Sequence, residues 1–393
     1  MITKKVLVAG SMCIDITPDL SAVPGDTFLS LLQPGKLINA KELRLQAGGA
    51  VSNTGLTLSR LGVPVRMIGK VGDDIFGRAI RDILAQEVPQ TREDLVVDSS
   101  VFTAYSIILN PPGFDRTFIH ADGANTFFYA SDIPQNTLQW ADLFHYGYPS
   151  MMRSIYRAEG AELVSILQKA RRSGLSTSVD FTLPDPTSPA GKVDWRLVLA
   201  NALPFVDVFV PSVEELTFML MRETYDRLNS DPNFSFIDLV TPDLCSKLSA
   251  QVLNYGVKIV LIKLGAKGLY LRTAGIGSWN KVGRGLDQLS TDWHQRELWA
   301  PAFSVEVQGT NGAGDAAIGG FLSSLIQGTD PVTSMQMAAA VGACRVENQG
   351  EADAIRPWDE IFKLVNTGWE TLPLDLSSFG WQKDPTNTIW QRE

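Results

Sequence analysis

Short apolar runs alternate with stretches of helical periodicity from about residue 140 onward. The apolar runs predict strands, and apolar residues that recur every three or four positions predict the helices between them. The predicted strands cover residues 6–9, 142–146, 175–180, 206–210, 259–263 and 269–272, and the predicted helices cover 161–173, 213–227 and 244–255. Apolar strands that alternate with helices are typical of a parallel sheet covered on both faces. The pattern predicts an α/β fold with a doubly wound, mainly parallel sheet, which binds ligands at the carboxyl ends of its strands.

A second pattern occupies the first third of the chain. Apolar and polar residues alternate within residues 19–46, and residues 102–109 and 116–120 have similar strand character. Alternation indicates strands with one exposed face, and a Pro-Pro-Gly sequence at 111–113 marks a turn between the last two of these pieces. We therefore expect a small β-sheet apart from the main core.

Two further stretches lie outside these patterns. Residues 274–297 are polar, contain glycine and lack periodicity, which indicates a long insertion between two elements of the sheet. The tail 368–393 carries three tryptophans among polar residues, so it is expected to pack against its own domain or a partner. The predicted organisation is one domain over residues 1–367, with the strands of the small sheet inserted in it, followed by this tail.

Composition and charge narrow the classes of function. The 393 residues include 34 Lys and Arg against 43 Asp and Glu, which gives a net charge of −9. Such a surface disfavours binding to nucleic acid or to anionic membranes, although it allows a local pocket for a phosphorylated molecule. Three scattered cysteines predict free thiols in a reducing compartment. No apolar run approaches the roughly 20 residues of a membrane span, and the N-terminus predicts a strand rather than a signal peptide, so a cytoplasmic protein is expected.

The strongest chemical signal is the glycine-rich sequence GTNGAGD at 309–315, which runs directly into a predicted helix. Unpaired amides at a helix N-terminus, together with the helix dipole, can hold an anion. Asp315 lies at this point, where its carboxylate could accept a proton from a hydroxyl group. The alternative is that Asp315 only caps the helix. No Lys-Ser or Lys-Thr pair follows the glycines, which excludes a P-loop, and the absence of GxGxxG after the first strand argues against a dinucleotide oxidoreductase.

A second glycine pair, in AGGAVSN at 47–53, precedes another predicted helix. Gly48 and Gly49 would let a ligand approach the backbone, and Asn53 offers an amide donor and an acceptor. A tight turn with a helix cap explains the same residues. The paired carboxylates at 73–74 are predicted to be structural, because a loop followed by a capped helix accounts for them.

The two glycine-rich sequences, together with the landmarks named below and their order along the chain, resemble the ribokinase (PfkB) family of carbohydrate and nucleoside kinases. The family pattern Asp-Thr-x-Gly-Ala-Gly-Asp corresponds to GTNGAGD, and its paired glycines followed by a helical Asn correspond to AGGAVSN. Three more landmarks occur in order: Gly10 with Asp15, RTFIHADGAN at 116–125, and GAKG at 265–268. The resemblance covers about residues 4 to 365. It implies a ribokinase-like fold in which the small sheet is a lid that excludes water from the active site.

The resemblance also implies ATP-dependent phosphorylation of a hydroxyl on a sugar or sugar-derived molecule, with Mg²⁺. Asp315 would be the general base. Glu215 would orient the magnesium ion through water. The anion hole would be formed by the amides of Gly312, Ala313 and Gly314. The hydroxyl-bearing acceptor would be bound by Asp15, Gly48, Gly49 and Asn53. The nucleotide would be bordered by Gly265 and Gly268.

Two positions depart from the family pattern. Gly309 replaces its first Asp, and Ser212 replaces the Asn of its Asn-x-x-Glu element, which here keeps only Glu215. Because the resemblance associates that element with magnesium and phosphate, metal handling is expected to differ. The insertion at 274–297 is longer than in simple family members and is expected near the nucleotide.

Three functions remain open on the sequence. A sugar kinase is favoured, and a nucleoside kinase of the same family would need an aromatic slot, which Phe102, Tyr105 or Phe118 could supply. The third is a ligand-binding protein that no longer catalyses. Arg116 is a minor candidate for reaching an acidic substrate. His145 is expected to be structural, although a side chain near the end of a strand could face the cleft. The exposed edges of the lid could pair in a homodimer.

Overall fold

The computed structural model describes residues 4–113, 116–230, 233–279, 282–348 and 355–392. Within these ranges the strands are β1 Val6–Gly10, β2 Cys13–Pro18, β3 Leu43–Gly48, β4 Val65–Ile68, β5 Lys70–Gly72, β6 Val96–Asp98, β7 Tyr105–Leu109, β8 Thr117–Ala121, β9 Leu143–Gly147, β10 Ser176–Asp180, β11 Val208–Phe209, β12 Ile259–Lys263, β13 Leu269–Thr273, β14 Glu297–Ala300, β15 Gln382–Lys383 and β16 Trp390–Gln391. The helices of the same ranges are α1 Gly25–Leu31, α2 Gly49–Arg60, α3 Ile75–Ala85, α4 Thr91–Asp94, α5 Gln135–Trp140, α6 Arg153–Tyr156, α7 Ala161–Arg172, α8 Trp195–Ala202, α9 Val213–Leu220, α10 Arg222–Leu228, α11 Pro242–Asn254, α12 Ala313–Gln327, α13 Pro331–Val346 and α14 Trp358–Asn366. Among the residues described, no helix is both long enough and apolar enough to cross a membrane.

Ten of the described strands form the central sheet, in the order β15-β16-β14-β13-β12-β11-β10-β9-β1-β4. Neighbouring strands are parallel from β4 to β12 and antiparallel from β12 to β15. Consecutive strand residues point to opposite faces, so each face is buried in its own apolar cluster. Phe144 and Tyr146 belong to one cluster, and Val8 and Leu261 belong to the other. The predicted doubly wound, mainly parallel sheet is confirmed.

The elements differ from the predicted ones at three places. β13 is antiparallel to β12 because the connection 264–268 is too short for a parallel crossover. β11 is limited to two residues of the predicted strand 206–210. The predicted helix 213–227 consists of two helices, α9 and α10, which are separated at Met221, where a φ of −137° and a ψ of 58° are not helical.

The small sheet, called the lid below, has the strand order β3-β2-β7-β8. β7 and β8 lie where strands are predicted in 102–109 and 116–120, and β3 begins within the predicted segment 19–46. β2 joins them although the sequence pattern did not place it there, and residues 25–31 form helix α1 instead of a strand. Because β2 follows β1 after two residues and β3 runs directly into α2, the lid is attached at the carboxyl end of β1.

The insertion 274–297 lies at the opposite end of the central sheet from the one expected. β13 runs antiparallel to β12, so the chain after Thr273 leaves at the amino ends of the parallel strands. There, Arg284 donates hydrogen bonds to backbone carbonyls that precede β9 and β10. The turn 265–268 joins the other ends of β12 and β13. The expectation that the insertion lies near the predicted nucleotide turn is therefore wrong.

The tail forms the far edge of the central sheet. β16 pairs with β14, and β15 pairs with β16. Trp381 is buried, and its ring centroid lies 6.0 Å from those of Tyr270 and Trp299. The tail therefore packs on the sheet of its own chain, while the domain boundary after residue 367 stays a prediction.

Candidate active site

The sequence 309–315 forms a turn that begins helix α12 beside the carboxyl ends of the parallel strands. Gly312 is the N-cap residue, and its φ of +71° is a conformation that glycine adopts without strain. Among the described residues, the amides of Gly312 and Gly314 have no hydrogen-bond partner, whereas the amide of Ala313 donates to the carbonyl oxygen of Thr310 at 3.3 Å. Two of the three predicted anion-hole amides are therefore unpaired, and the third makes a long hydrogen bond.

Asp315 is the third residue of α12 and is buried, with 1% of its surface exposed. Its Oδ2 accepts a 2.9 Å hydrogen bond from Nδ2 of Asn53, and both of its oxygens lie 2.9 Å from the Tyr148 hydroxyl. Burial raises the pKa of Asp315, while the charge of Lys263 and these two donors oppose the rise. Because the side chain bonds to other elements and not to amides of its own helix, the alternative that Asp315 only caps α12 is wrong.

Tyr148 is a site residue that sequence reasoning missed. It follows β9 and has a φ of 58° and a ψ of 48°, in the left-handed region that residues with a side chain rarely adopt. Burial, together with the charge of Asp315, holds the pKa of its hydroxyl well above the usual value, so the hydroxyl keeps its proton and donates a hydrogen bond to the carboxylate. Its position after a predicted strand was the one available signal, because no motif marks it.

Asn53 and Arg345 connect the glycine-rich turn to the helices around it. Arg345, in α13, is buried, and its Nε donates to the carbonyl oxygen of Asn311 at 3.1 Å. Its Nη2 lies 3.5 Å from Oδ1 of Asn53, whose amide nitrogen holds Asp315. One guanidinium thus supports both the turn and the residue that orients the carboxylate. Sequence reasoning missed Arg345, because its helix lies outside every recognised motif.

Asp15, Gly48 and Gly49 lie together where β2 pairs with β3. A Cβ atom on Gly48 would come 2.3 Å from the Asp15 carboxylate, and one on Gly49, whose φ is +83°, would come 2.7 Å from the carbonyl oxygen of Ser11. Close packing therefore explains both glycines. Burial raises the pKa of Asp15, and its Oδ1 accepts a 3.3 Å hydrogen bond from Sγ of Cys13. The three residues, which were predicted to bind the phosphoryl acceptor, therefore lie on adjoining elements. The Asp15 carboxylate among them is partly desolvated.

A buried charge cluster lies at the carboxyl ends of β10 and β12. Nζ of Lys263 is 2.6 Å from Oδ1 of Asp180, and neither residue is marked by a recognised motif. Burial raises the pKa values of Asp180 and Glu215, and the Lys263 charge opposes both shifts. Oδ2 of Asp180 has no hydrogen-bond partner in the described part of the chain. No group of three or more His, Cys, Asp or Glu within the described ranges could hold a metal ion by itself.

Glu215 also begins a helix. Its Oε2 accepts a 2.7 Å hydrogen bond from the amide of Ser212, and its own amide donates to Oγ of Ser212 at 3.2 Å. This reciprocal pair is a capping box at the start of α9. The serine that replaces the Asn of the family pattern therefore has a local structural role, and one oxygen of Glu215 lies outside the box.

Gly265 and Gly268 lie in the turn between β12 and β13, at the end of the sheet where α12 begins. Their φ angles are +54° and +87°. A Cβ atom on Gly268 would come 2.0 Å from the carbonyl oxygen of Ala300, whereas one on Gly265 would meet only the Ile237 side chain at 3.8 Å. Backbone packing thus accounts for Gly268, and Gly265 borders open space.

The lid contacts the glycine-rich turn. Nη2 of Arg116 donates a 2.7 Å hydrogen bond to Oγ1 of Thr310, and its guanidinium carbon lies 5.9 Å from the centre of the Phe118 ring. Tyr105 instead packs against Phe76 of α3, with ring centroids 6.1 Å apart. Phe118 therefore lies on the side of the lid that contacts the glycine-rich turn, whereas Tyr105 contacts helix α3.

His145 and Asp74, which were both expected to be structural, have partners within the fold, although Nε2 of His145 has none among the described residues. His145 is buried within β9 and does not face the cleft, and its Nδ1 lies 3.0 Å from Oγ of Ser178. Burial lowers the pKa of His145 to about 3, so the ring is neutral at pH 7. Asp74 caps α3 by accepting a 2.8 Å hydrogen bond from the amide of Gly77. Its neighbour Asp73 is exposed.

Curated relatives and solved structures resemble the chain over most of its length. Fructokinase-1 of Zea mays is 25% identical over 371 residues, which cover 92% of this chain and 97% of the relative. A ribokinase of Haemophilus influenzae is 21% identical over 349 residues, which cover 88% and 97%. Among solved structures, a fructokinase of Xylella fastidiosa with bound ATP has a TM-score of 0.66 at 23% identity, covering 93% of this chain and 99% of that one. An Arabidopsis thaliana ribokinase complexed with ribose and ATP also has a TM-score of 0.66, at 18% identity, covering 92% and 98%.

These structural likenesses show a ribokinase-like fold. The family model described as "pfkB family carbohydrate kinase" matches residues 3–358, which is nearly the whole chain. Together with the full-length relatives, the match shows that this chain belongs to the PfkB family of carbohydrate kinases.

Proposed function

We propose that the protein transfers the terminal phosphoryl group of ATP to a hydroxyl of a sugar or a sugar-derived molecule. The observation that carries this proposal is that the first turn of α12 holds both the buried Asp315 carboxylate and the amides of Gly312 and Gly314, which have no partner among the described residues. A base and an anion site on the same helical turn suit the transfer of a phosphoryl group to an alcohol.

Asp315 takes the proton of the acceptor hydroxyl in this proposal. Asn53 and Tyr148 hold its two oxygens, so the carboxylate is oriented before the acceptor binds. The amides of Gly312 and Gly314 stabilise the charge on the phosphoryl group, and Ala313 joins them if its hydrogen bond to Thr310 opens. General-base assistance of this kind is typically worth ~10²–10⁴ in rate.

The residues at the site fit ATP and Mg²⁺. ATP supplies the phosphoryl group, and the magnesium ion supplies positive charge that phosphate oxygens and carboxylates share. Glu215 would hold the ion through water, with the carboxylate oxygen that lies outside the capping box. Gly265 and Gly268 would border the nucleotide.

The phosphoryl acceptor would be bound by Asp15, Gly48, Gly49 and Asn53. Hydrogen-bond donors and acceptors that are fixed on adjoining elements suit a molecule with several hydroxyls. The names of the fructokinase and ribokinase relatives favour a sugar. A nucleoside acceptor is the second candidate, since Phe118 lies on the side of the glycine-rich turn and could stack on a base. Tyr105 is a weaker candidate for that slot, because it contacts Phe76.

The test is ADP release from ATP and Mg²⁺ against sugars, sugar acids, sugar phosphates and nucleosides, with Asp315→Asn as the control for contaminating kinases. Acceptor-dependent turnover with a free sugar that is lost in the variant supports the proposal. Preference for nucleosides over the matching free sugars would favour the second candidate. ATP binding without turnover on any acceptor would contradict the proposal and favour a ligand-binding role.

We also propose that the lid mediates a homodimer. Leu43, Leu45 and Ile119 are 60%, 42% and 52% exposed on the lid, and alternation along β3 and β8 places them on the face away from Asp15. A second copy would cover this apolar face. Sedimentation at micromolar concentration should find a dimer that Leu45→Glu dissociates, and a wild-type monomer would contradict the proposal.

A further inference from the structure

A buried ion pair lies beside the proposed anion hole. Lys263 is the last residue of β12, and Asp180 is the last residue of β10. Their side chains are 12% and 0% exposed, and Nζ of Lys263 lies 2.6 Å from Oδ1 of Asp180. A buried ion pair rarely stabilises a fold more than apolar residues of the same size would. The burial of the pair is therefore weak evidence that its role is to stabilise the fold.

The lysine lies against the backbone that would bind phosphate. A Cβ atom built on Gly314 would come 3.4 Å from Cδ of Lys263 and 3.8 Å from its Nζ. The ammonium group therefore lies close to Gly314, whose amide is unpaired among the described residues. Positive charge and a backbone donor at one point form a combined site for a phosphate oxygen.

Negative groups from three elements face Lys263. They are Asp180 from β10, Glu215 from α9 and Asp315 from α12, while the neighbouring His145 of β9 is neutral at pH 7. These charges raise the pKa of Lys263 against the effect of burial, so the amine is protonated when the site is empty. The lysine is charged, desolvated and held in place before any substrate binds.

In a comparable ion pair at the other end of β12, both carboxylate oxygens accept hydrogen bonds. Lys258 Nζ lies 3.4 Å from Oδ1 of Asp207, which also accepts from Nη1 of Arg171 at 2.9 Å. Oδ2 of Asp207 accepts from the amide of Thr177 at 3.0 Å. In the pair beside the anion hole, by contrast, Oδ2 of Asp180 has no hydrogen-bond partner in the described ranges. The protein thus satisfies the carboxylate of the Lys258–Asp207 pair. The carboxylate of the Lys263–Asp180 pair is left incomplete where a ligand would lie.

We propose that Lys263 is a catalytic residue whose ammonium group binds the phosphoryl group in transfer, and that Asp180 is its counter-ion in the empty site. The inference rests on the anion hole proposed above. In the step, the acceptor oxygen forms a bond to the terminal phosphorus of ATP and its proton passes to Asp315. The bond from that phosphorus to the bridging oxygen breaks, and its electron pair leaves with ADP. Lys263 gives up no proton and stabilises the charge on the non-bridging oxygens.

The test is Lys263→Met, which keeps the length of the side chain and removes its charge, with Lys258→Met as the matched control. Removing one donor from a site of this kind costs about 10²–10³-fold in kcat. We expect that loss for Lys263→Met, weaker binding of ATP, and unchanged binding of ADP, which lacks the terminal phosphate. The control should lose thermal stability but keep kcat. An unchanged ATP-to-ADP affinity ratio in Lys263→Met would overturn the inference.

The double variant Asp180→Asn/Lys263→Met separates catalysis from folding. If the pair were only structural, the neutral double variant would regain both the melting temperature and kcat. We expect it to regain the melting temperature alone, and recovery of kcat would overturn the inference. If the wild type transferred phosphate to no acceptor, the proposed function would fail, and the ATP-to-ADP affinity ratio would still decide the role of Lys263.

Discussion

At the scale of the residue, the basicity of Asp315 is set by opposing effects. Burial raises the pKa of its carboxyl group, while hydrogen bonds from Asn53 and Tyr148 favour the ionised form. A base must be ionised to accept a proton, so activity should fall as pH decreases through this raised pKa. The two donors therefore extend the active range towards lower pH and fix the direction of the carboxylate.

Tyr148→Phe tests this effect, because it removes the hydroxyl that lies 2.9 Å from both oxygens of Asp315. Loss of a donor to the ionised carboxylate raises its pKa further. We therefore expect the acid limb of the pH profile of kcat/KM, which reports groups of the free enzyme, to move to higher pH. At pH values above that limb, activity should be nearly retained.

Tyr146→Phe is the matched control, since the Tyr146 hydroxyl contacts only Sδ of Met152 among the described residues. This variant should leave the acid limb in place. An acid limb that stays unchanged in Tyr148→Phe, or moves to lower pH, would contradict the assignment of Asp315 as the group that titrates.

The site residues differ in how far the sequence could predict them. Asp315 and Asn53 could be predicted, because glycine turns that run into helices mark them locally. Tyr148, Lys263 and Arg345 could not, because each comes from a separate strand end or helix and acquires its role only through contact in the fold. Lys263 could be placed at the end of a predicted strand, yet its partner Asp180 belongs to another strand.

At the scale of the element, helix α12 carries the proposed anion site on its first turn. Its glycines serve different purposes, which the surroundings of each one reveal. A Cβ atom on Gly314 would meet only the end of the Lys263 side chain, at 3.4 to 3.8 Å, whereas one on Gly319 would come 2.5 Å from the Thr57 side chain. Gly319 is therefore required for packing, and Gly314 has room for a methyl group beside the proposed anion hole.

Gly314→Ala should separate stability from activity. Alanine is favoured over glycine inside a helix by roughly 0.5–1 kcal/mol, so urea denaturation should show an unchanged or slightly higher free energy of unfolding. The new methyl group would occupy the space beside the proposed anion hole. We therefore expect kcat to fall by at least about 10²-fold, the cost of losing one donor of such a site.

Gly319→Ala provides the contrast. Its methyl group would overlap Thr57, and overpacking of this kind costs about 1–3 kcal/mol of unfolding free energy. Its kcat should stay close to that of the wild type while it is folded. Full activity in Gly314→Ala would show that phosphate does not approach this turn.

The direction of the elements explains one failed expectation. Strand positions 259–263 and 269–272 could be predicted from apolar runs, but the hydrophobic pattern is the same for parallel and antiparallel neighbours. The antiparallel β13 sends the insertion 274–297 to the amino ends of the parallel strands, away from the site. Only the shortness of the 264–268 connection could have indicated this.

At the scale of the whole molecule, the C-terminal tail completes the central sheet. Trp381 is 2% exposed, and its ring lies against Tyr270 and Trp299. Tyr270 lies on β13, which neighbours β12, and Trp299 lies on β14, the next strand outward. The tail therefore supports the sheet from its edge.

Trp381→Ala should lower the free energy of unfolding by about 3–5 kcal/mol, since it empties a large buried volume. Urea denaturation followed by circular dichroism measures this loss. Trp369→Ala is the control: this half-buried ring stacks on Phe303 at 4.8 Å, and its loss should destabilise less. Equal effects of the two substitutions would contradict the role given to Trp381.

The most direct test of the central claim is single-turnover transfer of the labelled terminal phosphoryl group of ATP to the identified acceptor by Asp315→Asn. The variant keeps the size of the side chain and removes the base. We predict a loss of about 10²–10⁴-fold in the transfer rate, with ATP affinity retained. Transfer within about tenfold of the wild-type rate would lie below this range and would show that Asp315 is not the base.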